Sequence, residues 1–151
     1  MVGMLFKIMA RKENYEKYKK MLEQGGFIVS DDADLVLKEL NSSIDNIVGK
    51  YRDRYEFIPY QEIVYIESFG HDVICYTLEK EYEIKEKLYE IEGLFEDKGF
   101  IRINKSCIVN KWQIKEIRPS FNMKLILIMK NNHKLEVTRS YYYQFKEFIG
   151  F

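Results

Sequence analysis

The residues best suited to do chemistry in this chain are Asn104, Lys105 and Ser106. They form a polar corner between two short apolar runs, Phe100 to Ile103 and Cys107 to Val109. All three side chains hydrogen-bond, and one is cationic. Strands that hold a basic tip in space suit contacts to phosphate oxygens or base edges. An ordinary hairpin turn with a solvated lysine fits the same spacing. Arg139 is the second candidate. It ends an alternating run and precedes Ser140, a good residue to cap a helix. A cap there would fix the backbone of Arg139 and leave its guanidinium free for guanine O6 and N7; a surface salt bridge is the alternative. His71, in a Gly70-His71-Asp72 turn, is the third, and a solvated turn residue is its plain reading.

The elements that must position these residues are short. Leu5 to Ala10 reads as a strand. Glu13 to Gln24 reads as a helix, with Tyr15, Tyr18 and Leu22 on one face and Gly25-Gly26 as its stop. Phe27 to Val29 and Leu35 to Leu40 follow as strands, completing a β-α-β-β unit. Ser42 to Arg54 fits a short helix through Ile44, Ile47, Val48 and Tyr51, or a strand from Ile47 to Arg52, and Gly49 weakens the helix. Glu62 to Ser68, Val73 to Leu78 and Tyr82 to Ile84 read as an antiparallel meander. Lys85 to Glu96 reads as a helix striped by Ile84, Leu88, Ile91 and Phe95, closed by Gly99. After the 100–109 hairpin come strands over Gln113–Arg118, Lys124–Met129 and Lys134–Thr138, the last two joined at Asn131-Asn132. A last helix places Tyr141, Phe145 and Phe148 on one face.

Composition narrows the function. The 151 residues are 46% hydrophobic and 15% aromatic, enough for a packed core in one or two small domains. The net charge of zero hides an asymmetry. Residues 1–54 carry 10 basic and 9 acidic side chains, residues 55–98 carry 4 and 12, and residues 99–151 carry 10 and 3. The chain therefore ends in a segment of charge +7 behind one of −8, which suggests one cationic and one acidic face. The apolar runs are too short to span a membrane, and the start lacks the layout of a signal peptide. Cys75 and Cys107 lie in apolar strand patterns and are expected to be buried, reduced thiols of a cytoplasmic protein. Asp31, Asp32 and Asp34 read as a turn rather than a metal or phospho-acceptor site. There is no Gly-rich phosphate loop, no Gly-x-Ser-x-Gly elbow and no close His/Cys/Asp cluster, and His71 and His133 are well separated. An enzyme is not expected, and neither is a cofactor or a metal.

Three ordered segments resemble the LytTR family of bacterial DNA-binding domains. The first is Phe100 to Asn110, where the family reads roughly Phe-x-Arg-x-His-Arg-Ser-x-Ile-Val-Asn. The others are Ile63 to Gly70, like the family's opening strand and loop, and Leu135 to Tyr141, like its closing strand. Asn104 stands where His is commoner and Lys105 where Arg is commoner. Lysine lacks the rigid fork of arginine, so reading there is less selective.

The resemblance implies an α+β, mostly β fold: a LytTR-like domain of small packed antiparallel sheets with a short helix over 55–151, preceded by the β-α-β-β unit within 1–54. It implies that three loops insert into successive grooves of double-stranded DNA, with His71, Lys105 and Arg139 on bases. His71 and Asp72 compete for the first of these roles. Asn104 and Ser106 then face phosphates or bridging waters, and Lys111 and Lys134 are looser backbone candidates. Arg102 and Asn110 match the family as structural residues, a cross-strand pair and a turn cap, and Trp112 is expected in the core. About 54 leading residues cannot supply a receiver domain, so the chain reads as a stand-alone transcriptional regulator. Exposed strand edges in its first part suggest a homodimer. A sensing module that no longer binds DNA and an RNA-binding domain are the rival readings.

Overall fold

In a computed structural model, residues 3–39 and 45–151 are described. Leu40, the expected end of the third strand, and Ser42 to Ile44, the start of the helix-or-strand segment, lie outside the described residues.

The first part is a parallel three-stranded sheet. β1 (Leu5–Met9) lies between β2 (Ile28–Val29) and β3 (Leu35–Lys38), parallel to both. Helix α1 (Lys12–Gln24) makes the β1-to-β2 crossover and ends at Gly25, followed by Gly26 at φ 87°. Phe6 meets Phe27 edge to face at 5.1 Å on the helix side of the sheet.

The remaining strands are antiparallel. β4 (Asn46–Tyr51), β5 (Arg54–Pro59), β6 (Tyr65–Phe69), β7 (Asp72–Tyr76), β8 (Glu81–Ile84), then helix α2 (Leu88–Phe95), β9 (Phe100–Asn104) and β10 (Cys107–Asn110) build a seven-stranded sheet in the order β5-β4-β8-β7-β6-β10-β9. β11 (Ile114–Pro119), β12 (Leu125–Met129) and β13 (Lys134–Val137) form a three-stranded sheet, and α3 (Tyr142–Ile149) closes the chain. The α+β, mostly β architecture expected from the sequence is present. No helix among the described residues is long and apolar enough to cross a membrane.

The core has two layers, one on each face of the seven-stranded sheet. Ile66, Cys75, Ile84 and Ile108 pack with Leu88, Ile91 and Phe95 of α2. Val64, Tyr65, Cys107 and Val109 pack with Leu125, Leu127, Val137 and Phe145 on the other side. Neighbouring residues of β10 thus alternate between two buried layers, which is why Cys107 to Val109 reads as an unbroken apolar run. Both cysteines are free and buried, and burial pushes both thiols up.

One open alternative is settled and three expectations need correction. The ambiguous segment is strand, not helix, over its described part; β4 pairs with β5 from Asn46 to Tyr51 and with β8 at Gly49 and Lys50. Gly49 is needed there, because a Cβ would lie 2.7 Å from Tyr82 Cβ. The expected 85–96 helix starts only at Leu88. Ile84 mimics its stripe but belongs to β8, where Tyr82 and Ile84 point inward and Glu81 and Glu83 outward. The Lys87 N–H donates to Glu90 Oε1 at 3.1 Å and fixes the later start. The strand placed at Glu62 to Ser68 begins at Tyr65, after a 3-10 turn over Tyr60–Glu62. Trp112 is not core: it is 64% exposed, because the 3-10 turn after β10 carries its ring outward.

The parallel sheet is fastened to α2. Lys7 Nζ meets Glu92 Oε2 at 2.5 Å, Lys38 Nζ meets Oε2 of Glu96 just past the helix at 2.6 Å, and the Tyr15 ring of α1 lies 4.2 Å from that of Tyr89, tilted by 34°. Gly93 lets the backbones close, since a Cβ there would lie 3.3 Å from the Met9 carbonyl.

Candidate nucleic-acid interface

β9 and β10 meet in a two-residue turn, Lys105-Ser106. The tip is built by Asn104, whose Oδ1 accepts from the Ser106 N–H at 2.9 Å and from Ser106 Oγ at 3.1 Å. Its Nδ2 donates to the Glu136 carbonyl at 2.9 Å. Lys105 is left exposed, and its side chain makes no ion pair among the described residues.

Three hydrogen bonds, two of them backbone to backbone, then join this tip to the other two candidate loops. The Ser68 N–H donates to the Ser106 carbonyl at 2.8 Å, binding the β6–β7 hairpin that carries His71. Asn104 reaches β13 as above, and the Thr138 N–H donates to the Ile103 carbonyl at 3.0 Å. The structure therefore brings His71, Lys105 and Arg139 to one end of the molecule on mutually bonded segments. All three are exposed.

His71 occupies the turn after Gly70, which takes φ 61°, and Asp72 opens β7. The His71 carbonyl accepts from Lys87 Nζ at 3.2 Å, which tethers the backbone of the turn. Arg139 opens a 3-10 turn, Arg139–Tyr141. The expected Ser140 cap is absent: Thr138 holds the cap position, Ser140 lies inside the turn, and α3 begins at Tyr142. The Thr138–Ile103 bond fixes the position instead, and the Arg139 guanidinium makes no ion pair among the described residues.

Lys111 and Lys134 are not brought to this end. Each lies a strand's length away, one after β10 and one at the start of β13. Lys111 Nζ sits over the Trp112 and Phe148 rings at 4.7 and 5.0 Å. Asn110 is structural as expected: it is 1% exposed, donates to the Ile63 carbonyl at 2.9 Å and accepts from the Trp112 N–H.

Arg102 is structural too, but not as a cross-strand pair. Its register partner is Ile108. Its guanidinium runs instead to α2, where Nη1 meets Glu92 Oε1 at 2.8 Å, and to the tip, where Nη2 donates to the Lys105 carbonyl at 2.6 Å. Glu92 thus bridges Lys7 and Arg102, all three side chains about nine-tenths buried. Sequence reasoning missed Lys7 and Glu92. No local signal marks Glu92, because α2 carries a second glutamate, Glu90, and because Lys7, which pairs with Glu92, is far away in sequence.

The LytTr DNA-binding domain family matches residues 53–150. The chain belongs to that family. A solved LytTr DNA-binding domain from Bacillus cereus is similar to this LytTR chain with TM-score 0.69 and 28% identity, over 72% of this chain and 100% of that one. Among curated proteins, the sensory transduction protein LytT of Bacillus subtilis is 29% identical over 91% of this chain and 54% of its own length. LytT of Enterococcus faecalis is 31% identical over 75% and 51%, and the transcriptional regulatory protein LytR of Staphylococcus aureus (strain N315) 28% over 80% and 49%. The LytTR chain spans about half the length of these relatives. Among its described residues no group of three His, Cys, Asp or Glu side chains is placed to hold a metal.

Proposed function

We propose that this LytTR chain binds double-stranded DNA sequence-specifically and regulates transcription, and that it is not an enzyme. One observation carries the reading: three loops from distant parts of the sequence are bonded into a single edge, where the side chains of Lys105 and Arg139 make no ion pair among the described residues. Unpaired cations on rigid backbone suit a polyanion, and the fixed arginine suits a guanine edge. The relatives named for transcriptional regulation and sensory transduction support the same reading. Arg139, Lys105 and the His71 turn act as base readers, and Asn104 and Ser106 present the tip beside the phosphates.

Selection of bound duplexes from a random pool tests this. Enrichment of a motif is the expected result, and the absence of any enrichment at moderate salt rejects it. On the selected duplex, Arg139→Ala should cost about 1–3 kcal/mol and flatten preference at one position. Lys105→Ala should lose more on the selected site than on scrambled DNA. An equal loss on both would make Lys105 a phosphate contact.

The parallel sheet supports a homodimer. Leu35, Val36 and Leu37 of β3 are 40%, 48% and 36% exposed, on a strand whose outer edge has no partner strand among the described residues. Sedimentation of the full chain should show twice the chain mass at tens of micromolar, and a monomer at that concentration removes the dimer.

A further inference from the structure

The turn between β2 and β3 carries Asp31, Asp32 and Asp34, all exposed, and none forms an ion pair with a described residue. The fold does not leave this turn at the far side of the parallel sheet. A cleft of about 450 Å³ is lined by Asp31, Asp32 and Asp34 together with Arg102, Lys105 and Tyr141. Asp31 also lines a second cleft, of about 340 Å³, with Ser68 and Gly70 of the His71 loop. The acidic turn therefore shares clefts with Lys105, with Ser140 next to Arg139, and with Gly70 next to His71.

Two buried groups in the first cleft lack partners among the described residues. Arg102 Nε is one, on a residue 9% exposed, and the Tyr141 hydroxyl is the other, on a residue 6% exposed. Burial pushes the Tyr141 phenol up, and Glu92, Asp32 and Asp31 add to that against the opposing field of Arg102. The carboxylates are thus within electrostatic reach of the groups beneath the reading tip. The Lys7–Glu92–Arg102 bridge fastens the sheet that carries the turn to the strand that carries Lys105.

Resting on the DNA-binding reading above, we propose that the Asp31-Asp32-Asp34 turn is an intramolecular competitor for DNA: its carboxylates occupy the place of backbone phosphates beside Lys105 and weaken binding of every duplex. A duplex that engages Lys105 brings its own phosphates against three carboxylates. Like charges at short range repel, and salt screens that repulsion within about 8–10 Å. The turn therefore sets how much basic charge the edge can use, and anything that neutralises or displaces it raises affinity.

The test uses the full chain with Asp31→Asn, Asp32→Asn and Asp34→Asn combined, and with Ser30, whose Oγ accepts from the Asp32 N–H, left unchanged. The three sites are exposed, so the fold should persist, which unfolding curves verify. Binding is measured on the selected duplex and on scrambled DNA from low to high salt. The triple variant should bind both about tenfold or more tightly at low salt, with the gain shrinking as salt rises. A lysine at position 32, Asp32→Lys, should gain further. Unchanged or weaker affinity in both variants, with wild-type protein still binding its selected site, overturns the competitor and leaves the DNA-binding reading intact. If neither wild type nor variants bind any duplex, the reading and the competitor fall together.

Discussion

Glu92→Ala should lower stability by about 3–5 kcal/mol in urea unfolding. The carboxylate is 92% buried and is the shared counter-charge of Lys7 and Arg102, whose side chains are 11% and 10% exposed. Removing it leaves two cations facing each other in a site with little water, and breaking a buried pair from one side is far more costly than never having built it. Glu92→Gln keeps the shape and one acceptor and should lose less. The effect also has a functional arm: Arg102 donates to the Lys105 carbonyl, so a guanidinium released from Glu92 no longer holds the tip. A loss under about 1 kcal/mol would show that water, not Glu92, neutralises the two cations.

Phe145→Ala should cost a similar amount, about 3–5 kcal/mol, by emptying a fully buried site between α3 and the sheets. Phe145 anchors the short helix that follows the Arg139 turn. Its loss should therefore weaken DNA binding beyond what the Arg139 side chain alone contributes, and raise the dependence of binding on temperature. Phe148, half-buried one turn later, should cost clearly less when truncated. Equal losses at the two positions would mean that α3 is held by its surface rather than its core face.

Much of this architecture was legible in the sequence because it rests on local signals. Turn signals bound the meander, Gly25-Gly26 marks the end of α1, and the apolar runs on either side of Asn104 to Ser106 mark β9 and β10. The three loops were found by resemblance, and their meeting at one end is what the structure adds. What escaped depends on pairing across the chain. Ile84 fits a helix stripe as well as a strand, and only its partners Val73 and Gly49 decide the matter. Ser140 is as good a cap as Thr138, and only the bond from Thr138 to Ile103 chooses between them. Trp112 looks like core by type, and its turn carries it out. The three aspartates form the turn that their residue type favours, but nothing local says which surface that turn stands beside.

The bridge from Lys7 to Glu92 spans 85 residues of sequence, and that separation sets an order in time. A ribosome adding roughly 5–20 residues each second delivers Glu92 about 4–17 s after Lys7. During that interval β1 can find β2 and β3, but the lysine that faces α2 must remain hydrated, and the sheet cannot settle against a helix not yet made. β1 is thus made well before it can be locked, and its apolar neighbours Leu35 to Leu37 are open to other chains while it waits. Slowing synthesis between residues 40 and 92 should lengthen that exposure and increase aggregation of the nascent chain, whereas slowing it after residue 110 should not.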